Sequence, residues 1–500
     1  MQTIVPLADL ADGTMKKVMV GETGIVLVRD GDAVCAFAAN CPHAGGPLEQ
    51  GALCNGRLVC PWHKATFRIE DGAVLEPPAM EGLTRYAVQV TQGNVIVSSE
   101  KMGAPAVAKN RHGRIAAIIG SGAAGAAAAV ALRHAGFEGR VLLIGDEALQ
   151  PYDRTVLSKY VVAGEMTPQD IPPILAGNDW DALDVERMDT NATGVDAAAR
   201  KIQLADGSAI VYDTALLATG GVPRRPNVAG VLLPGVHTLR NVQDAAAILS
   251  ACQPNASAVV VGSSFIGMEV ASSLRKRGVG VTIVAPEQTP FARQFGEQIG
   301  AMFRKLHERH GVVFRLGAEV AALEGDERVR HVVLKNGDRL PADCVVLGIG
   351  VSPATEFVSG VETAEDGGIV VDSAMRAAGT LFVAGDCASF PLHGRRVRIE
   401  HWRVAQQQGR VAALGMMGRS AHYEGVPFFW TEHYDKRFEY LGHADACEEL
   451  RVEGDLEAQD FIAYQIAGGQ VVGVIACGRE TVTASLIEKM RGRLTLSESP

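Results

Sequence analysis

Two short loops carry the residues of this chain best suited to holding a metal: Cys41-Pro42-His43-Ala44-Gly45-Gly46-Pro47-Leu48 and Cys60-Pro61-Trp62-His63. Together they spell C-x-H, sixteen residues, C-x-x-H. Each loop offers one thiolate and one imidazole, a set that suits a two-iron, two-sulfide centre with both Cys on one iron and both His on the other. Two ferric ions, two sulfides and two thiolates sum to zero charge, whereas four thiolates would leave minus two, so this ligand set makes reduction easier. Cys2His2 ligands also suit zinc, but zinc fingers place a His pair on a helix, and here Cys and His alternate between two Gly/Pro loops.

A second chemistry is written in glycine. The apolar run Arg114 to Ile119 leads into Gly120-Ser121-Gly122-Ala123-Ala124-Gly125, an Ala-rich helix to about His134 and a strand over Val141 to Ile144. Gly120 and Gly122 allow a tight turn and close approach of a pyrophosphate to the helix N-terminus, and Gly125 allows close helix–strand packing. The pattern returns at Val259-Val260-Val261-Gly262-Ser263-Ser264-Phe265-Ile266-Gly267-Met268-Glu269, followed by a strand over Val281 to Val284. Two such units imply two dinucleotides. After the second strand the chain reads Ala285-Pro286-Glu287, with no base until Arg293. A 2'-phosphate wants Arg or Lys there, so NADH is expected over NADPH by a modest margin; Ala285 offers no acid for the ribose diol, which weakens discrimination unless Glu287 substitutes. No Cys lies between Gly120 and Ser250, which leaves no dithiol for disulfide chemistry there.

These sites need several domains to position them, and 500 residues suffice for about three. Residues 1–102 are short apolar or alternating runs between Asp-Gly, Gln-Gly and Pro-Pro turns, an all-β domain. Residues 103–113 read as a linker. An α/β region with two dinucleotide-binding domains follows, divided as 114–237 and 337–424 for the flavin and 238–336 for the nicotinamide. Residues 425–500 alternate and then end in a helix, an α+β cap. The composition, 47% hydrophobic and 21% charged, excludes general disorder, and a net charge of −10 without a basic stripe argues against nucleic acid. No apolar run approaches the roughly 18 residues of a membrane helix, and Met1 to Leu10 holds Pro6 and Asp9 without a basic start, so a cytoplasmic protein with no membrane association is expected. The oligomeric state is left open.

Residues 1–100 resemble Rieske ferredoxin domains, including the Pro after each ligand Cys, Gly45, Pro47 and Phe67. The resemblance implies a two-iron Rieske cluster on Cys41, His43, Cys60 and His63. High-potential members carry an extra Cys in each loop where this chain has Gly46 and Trp62, which implies the lower half of a range from about −150 to +300 mV. Lys64 stands where many members have Gly; a cation there could raise the cluster potential or receive an acidic partner, but a solvated side chain is the expected reading. The His43/His63 edge is expected to be exposed and to receive a protein acceptor.

The remainder resembles the pyridine-nucleotide-dependent flavoprotein reductases. Ala218-Thr219-Gly220-Gly221 and Thr380 to Gly385-Asp386 look like that family's flavin fingerprints, and Gly350 is assigned with them. Gly145-Asp146-Glu147, Arg154, Lys159 and Glu400-His401-Trp402 resemble the ferredoxin-reductase branch. That resemblance implies Asp146 and Glu147 at the adenosine ribose, Arg154 and Lys159 at the flavin nucleotide, and Trp402 beside the flavin. It also implies that Glu269 orients the nicotinamide carboxamide, the alternative being a helix first-turn carboxylate favoured by the dipole. The whole order is similar to the Rieske-containing apoptosis-inducing-factor-like flavoproteins. The expected enzyme takes electrons from NADH or NADPH through FAD to its own cluster and on to an external one-electron acceptor. Two alternatives stay open: the reductase component of a multi-subunit oxygenase, and a redox-sensing interaction protein with little turnover.

Overall fold

The computed structural model describes residues 1–103, 113–175, 180–444, 447–492 and 494–495. The expected linker falls almost wholly on 104–112, outside the described residues. Among them no helix is long and apolar enough to cross a membrane.

The N-terminal residues form three small antiparallel sheets. One of these, with strands Ala52–Cys54, Arg57–Val59, Thr66–Arg68 and Val74–Glu76, holds the second ligand loop between its middle strands, paired Val59 to Thr66. Cys41 and Cys60 are buried in the core with Val26, Phe37, Leu48, Leu58 and Phe67.

The flavin-side sheet has six strands in the order Val185–Asp189, Arg140–Gly145, Ile115–Ile119, Thr214–Leu217, Leu381–Val383 and Arg376–Ala378. The first five run parallel. The central runs Ala116 to Ile119, Val141 to Ile144 and Ala215 to Leu217 are buried, as expected of parallel strands enclosed in a core. Strand β1 (Ile115–Ile119) leads into helix α1 (Ala123–His134), nearly every residue of which is buried. Alanine suits such a crowded site because it fills little volume and has the highest helix propensity.

The nicotinamide-side sheet orders Val236–His237, Cys344–Leu347, β2 (Ser257–Val261), Gly280–Ala285 and Val313–Leu316, all parallel. This corrects both divisions: the one at 237/238, since Val236–His237 pairs with Val345 and Val346, and the one at 336/337. The Asn336-Gly337 turn closes a hairpin between His331–Leu334 and Arg339–Pro341, and the next strand, Cys344–Leu347, still pairs with β2. A turn signal alone cannot distinguish a hairpin from a domain crossing. Helix α2 (Phe265–Lys276) follows β2, and helix α3 (Ala292–Arg309) packs nearby. Helix α4 (Trp402–Met416) crosses α1 closely, since a Cβ on Gly409 would stand 2.2 Å from the Ala124 carbonyl oxygen.

The cap is a five-stranded antiparallel sheet that opens on β3 (Phe428–His433) and is backed by helix α5 (Glu480–Arg491). Its core is shared with the N-terminal domain, whose Ala52 and Val59 pack with Phe428, Ile462 and Tyr464.

The solvated reading of Lys64 is overturned. Lys64 is 0% exposed, and its Nζ donates to both carboxylate oxygens of Glu439 in the cap at 3.0 Å, to the Glu480 carbonyl at 3.2 Å and to the Pro61 carbonyl. Glu439 also accepts from Thr483 Oγ1 at 2.5 Å. Arg403 on α4 donates to the Lys64 carbonyl at 3.0 Å and the Pro77 carbonyl at 2.8 Å. Glu76 accepts from Gln407 at 2.6 Å and Arg491 at 2.7 Å. Buried, hydrogen-bonded charges of this kind fix one docking geometry, because loss of either partner strands the other in a poor solvent.

Candidate active site

The two ligand loops are built alike. The Cys41 amide donates to the Gly46 carbonyl and the Gly45 amide to the Cys41 carbonyl; in the second loop Cys60 donates to Ala65 and Lys64 to Cys60. Gly45 and Lys64 hold equivalent places and both have positive φ, +78° and +60°. Glycine is the easy residue for that conformation, so a lysine there carries a backbone cost that its buried ion pair opposes.

The loops bring their side chains together in two pairs. The Cys41 and Cys60 thiols hydrogen-bond to each other, which holds Cys60 down to about 7 and pushes Cys41 up. His43 Nδ1 and His63 Nδ1 face each other at 3.1 Å, and burial keeps both imidazoles below their usual pKa, hence neutral. Among the described residues no three His, Cys, Asp or Glu side chains gather as a single-metal site. A thiol pair beside an imidazole pair fits the two-plus-two division of a two-iron cluster and not a tetrahedral zinc.

The glycine turns fit the close approach of backbone to phosphate. Gly120 has φ +105°, and a Cβ there would lie 2.2 Å from the Ala218 carbonyl oxygen; Gly125 would meet the Gly120 carbonyl at 1.9 Å. Gly262 has φ +111° with the Gly348 carbonyl at 2.3 Å, and Gly267 would meet the Gly262 carbonyl at 2.2 Å. Neither α1 nor α2 has an acidic residue in its first turn, which leaves both N-termini favourable to an anion.

Both turns open on one cavity of about 1850 Å³, bordered by every predicted site residue except Gly125, Gly267, Cys41 and Cys60. Those four lie behind its wall, the glycines in close helix packing and the thiols in the domain core. Glu147 accepts from Tyr152 at 2.6 Å and is bonded to Arg154, while Asp386 pairs with Arg240 at 2.8 Å. Ser263 Oγ donates to Glu287 at 3.5 Å, and Arg293 borders the same cavity. Burial pulls His401 down to about 3, and its Nδ1 has no hydrogen-bond partner among the described residues, a buried polar atom that a bound group would have to satisfy.

His43 and His63 also border this cavity, so their edge faces inward and the expected exposed docking edge is corrected. The N-terminal domain lies against the other domains, and its two imidazoles are half-buried, bordering a second cleft with Pro42, Ala44 and Trp62 as well. What remains on the outside is the loop surface at Ala44, Gly45 and Trp62, the last 38% exposed.

Glu269 is the fifth residue of α2, past the first turn, and buried. It accepts from Ser158 Oγ at 2.5 Å, Lys159 Nζ at 3.0 Å and Thr431 Oγ1 at 2.6 Å. Lys159 in turn lies 4.6 Å from the ring centre of Trp430, and that ring packs on His63 at 5.2 Å between centres. Trp430, Thr431 and His433 were missed by sequence reasoning. The signal available was the run Phe429-Trp430-Thr431-Glu432-His433, which in a strand sends Thr431 and His433 to one face and Trp430 to the other.

The chain belongs to the pyridine nucleotide-disulphide oxidoreductase family, whose model matches residues 115–409. It is a Rieske-containing, ferredoxin-reductase-like oxidoreductase that binds FAD and a nicotinamide dinucleotide: a Rieske [2Fe-2S] domain matches residues 1–87 and a reductase C-terminal domain residues 428–493. Among its relatives, apoptosis-inducing factor 3 of Mus musculus is 33% identical over 97% of this chain and 83% of its own length. The ferredoxin–NAD(+) reductase component of the biphenyl dioxygenase system of Paraburkholderia xenovorans is 38% identical, over 72% of this chain and 89% of its own. Putidaredoxin reductase, solved in a covalent complex with putidaredoxin, superposes with a TM-score of 0.73 at 29% identity, covering 77% of this chain and 94% of that one.

Proposed function

We propose that the chain oxidises NADH and passes the electrons, by way of FAD and its own Rieske cluster, to an external one-electron redox protein. When bound, the flavin supplies the step from paired to single electrons, which neither the nicotinamide nor the cluster can perform. The observation that carries the reading is the shared cavity: the His43/His63 edge faces the same space as the flavin-type turns, with Trp430 against His63.

In this reading Cys41, Cys60, His43 and His63 hold the cluster. The N-terminus of α1 with Gly120 and Gly122 receives the flavin pyrophosphate, Asp146 and Glu147 its adenosine ribose, and Arg154 and Lys159 its nucleotide. The N-terminus of α2 receives the nicotinamide dinucleotide, with Glu287 at its ribose. Glu269, held by its three donors, positions the nicotinamide carboxamide, and Trp402 lies beside the flavin. The acceptor docks at Ala44, Gly45 and Trp62, the exposed side of the ligand loops. The dioxygenase reductase relative makes an oxygenase component or its ferredoxin the leading acceptor class. Anaerobic mixing with NADH tests the reading: flavin bleaching followed by a reduced-cluster signal is expected, and flavin reduction with a permanently oxidised cluster refutes it.

A further inference from the structure

Beyond the site itself, a line of hydrogen bonds leaves Glu269 and runs to the surface. Thr431 Oγ1 stands 2.6 Å from Glu269 Oε1 and 3.0 Å from His433 Nε2. His433 Nδ1 is 3.2 Å from His307 Nε2, and His307 Nδ1 is 3.1 Å from the Tyr434 hydroxyl. Tyr434 is only partly buried and stacks at 3.6 Å on the exposed His310. Resting on the function proposed above, we infer that this chain of Glu269, Thr431, His433, His307 and Tyr434 is the proton exit of the flavin site.

The reaction needs such an exit. Each NADH oxidised gives NAD+, two electrons and one proton; if both electrons leave singly to an external acceptor, the proton is left in a buried site. The geometry is suited to moving it. Both imidazoles are completely buried, and desolvation pulls His307 down to about 3 and His433 well below its usual value, so each is neutral, with one N–H donor and one acceptor nitrogen. The walls are Phe291, Phe303 and Phe438. The charged or titratable groups that face the line are Lys159 at its inner end and Arg275 and His310 at its outer end.

The proton count closes. From a protonated Glu269, the carboxyl gives its proton to Thr431 Oγ1 as Thr431 gives its own to His433 Nε2. His433 Nδ1–H passes to His307 Nε2, His307 Nδ1–H to Tyr434, and the Tyr434 hydroxyl proton to water. Every intermediate group loses one proton and gains one. The final pattern, with each donor pointing inward, is the one an ionised Glu269 imposes, since a carboxylate only accepts.

The test is made on the cofactor-loaded protein labelled with 15N-histidine, and on its Tyr434→Phe and His307→Gln variants. One arm measures exchange of the His433 imidazole N–H with solvent by NMR; the other measures proton release with a pH-indicator dye while NADH reduces the flavin and cluster. Roughly tenfold slower exchange and release are expected in His307→Gln, with a smaller slowing in Tyr434→Phe. First-turnover reduction of the flavin and cluster should persist, and its loss in the unmodified protein would count against the proposed function and not against the relay. Unchanged exchange and release in Tyr434→Phe, together with unchanged values in a folded His307→Gln, overturn the inference.

Discussion

The two faces of strand β3 differ in what they touch. One carries Trp430, packed on His63 of the N-terminal domain; the other carries Phe429, Thr431 and His433, packed on Phe265, Glu269 and Phe303 of the nicotinamide side. Strand geometry alone makes that division, because successive side chains point to opposite faces. An aromatic ring against a ligand imidazole offers a route for electrons, and a row of neutral donor–acceptor groups offers one for protons. On the proposed reading, the six residues of this strand part the electrons from the proton of NADH oxidation and send them to different surfaces.

The strongest way to break the electron face is at its end. Replacing His63 with Ala should abolish the Rieske signal in electron paramagnetic resonance and the reduction of any protein acceptor, while the flavin absorption and its bleaching by NADH remain. Next in size is the clamp that holds the two domains in register. Lys64→Met takes the ammonium from Glu439, which keeps the Arg437 guanidinium at 3.2 Å, and should cost about 2–3 kcal/mol, read as a lower midpoint in denaturant unfolding.

Smaller changes sharpen the contrast. Trp430→Leu should slow cluster reduction by about tenfold, equivalent to about 1.4 kcal/mol of barrier, without altering solvent exchange at His433. A slowing of both would mean that the faces are not independent. Smallest is the choice of nicotinamide. NADH should be favoured over NADPH by less than about tenfold, because Glu287 disfavours a 2'-phosphate while Arg293 borders the same cavity. Glu287→Gln should narrow the ratio of kcat/KM values further.

Much of the site was legible because its parts are local. A strand, a glycine turn and a helix N-terminus lie within a dozen residues of one another, and backbone sterics dictate glycine where φ reaches +105° at Gly120 or +111° at Gly262. The ligand loops are local in the same sense. What escaped was what distant segments do to one another. Lys64 departs from the usual glycine, but nothing near it in sequence announces Glu439, 375 residues away. Glu269 was named, yet its donors come from Ser158, Lys159 and Thr431. The inward-facing imidazoles could not be read from the ligand motif, which fixes how two loops meet and says nothing about what covers them. The boundary error at 336/337 has the same origin, since only pairing shows that Cys344–Leu347 belongs beside β2.

On the proposed reading, the flavin site and the cluster form one internal circuit held in a single docked geometry. Freeze-quenched samples of the anaerobic protein, mixed with NADH over a range of protein concentrations, test it most directly. The reduced-cluster signal should appear at a rate independent of protein concentration, since both sites lie in one chain across one cavity. A rate that rises in proportion to protein concentration would mean that electrons pass between molecules, and would contradict it.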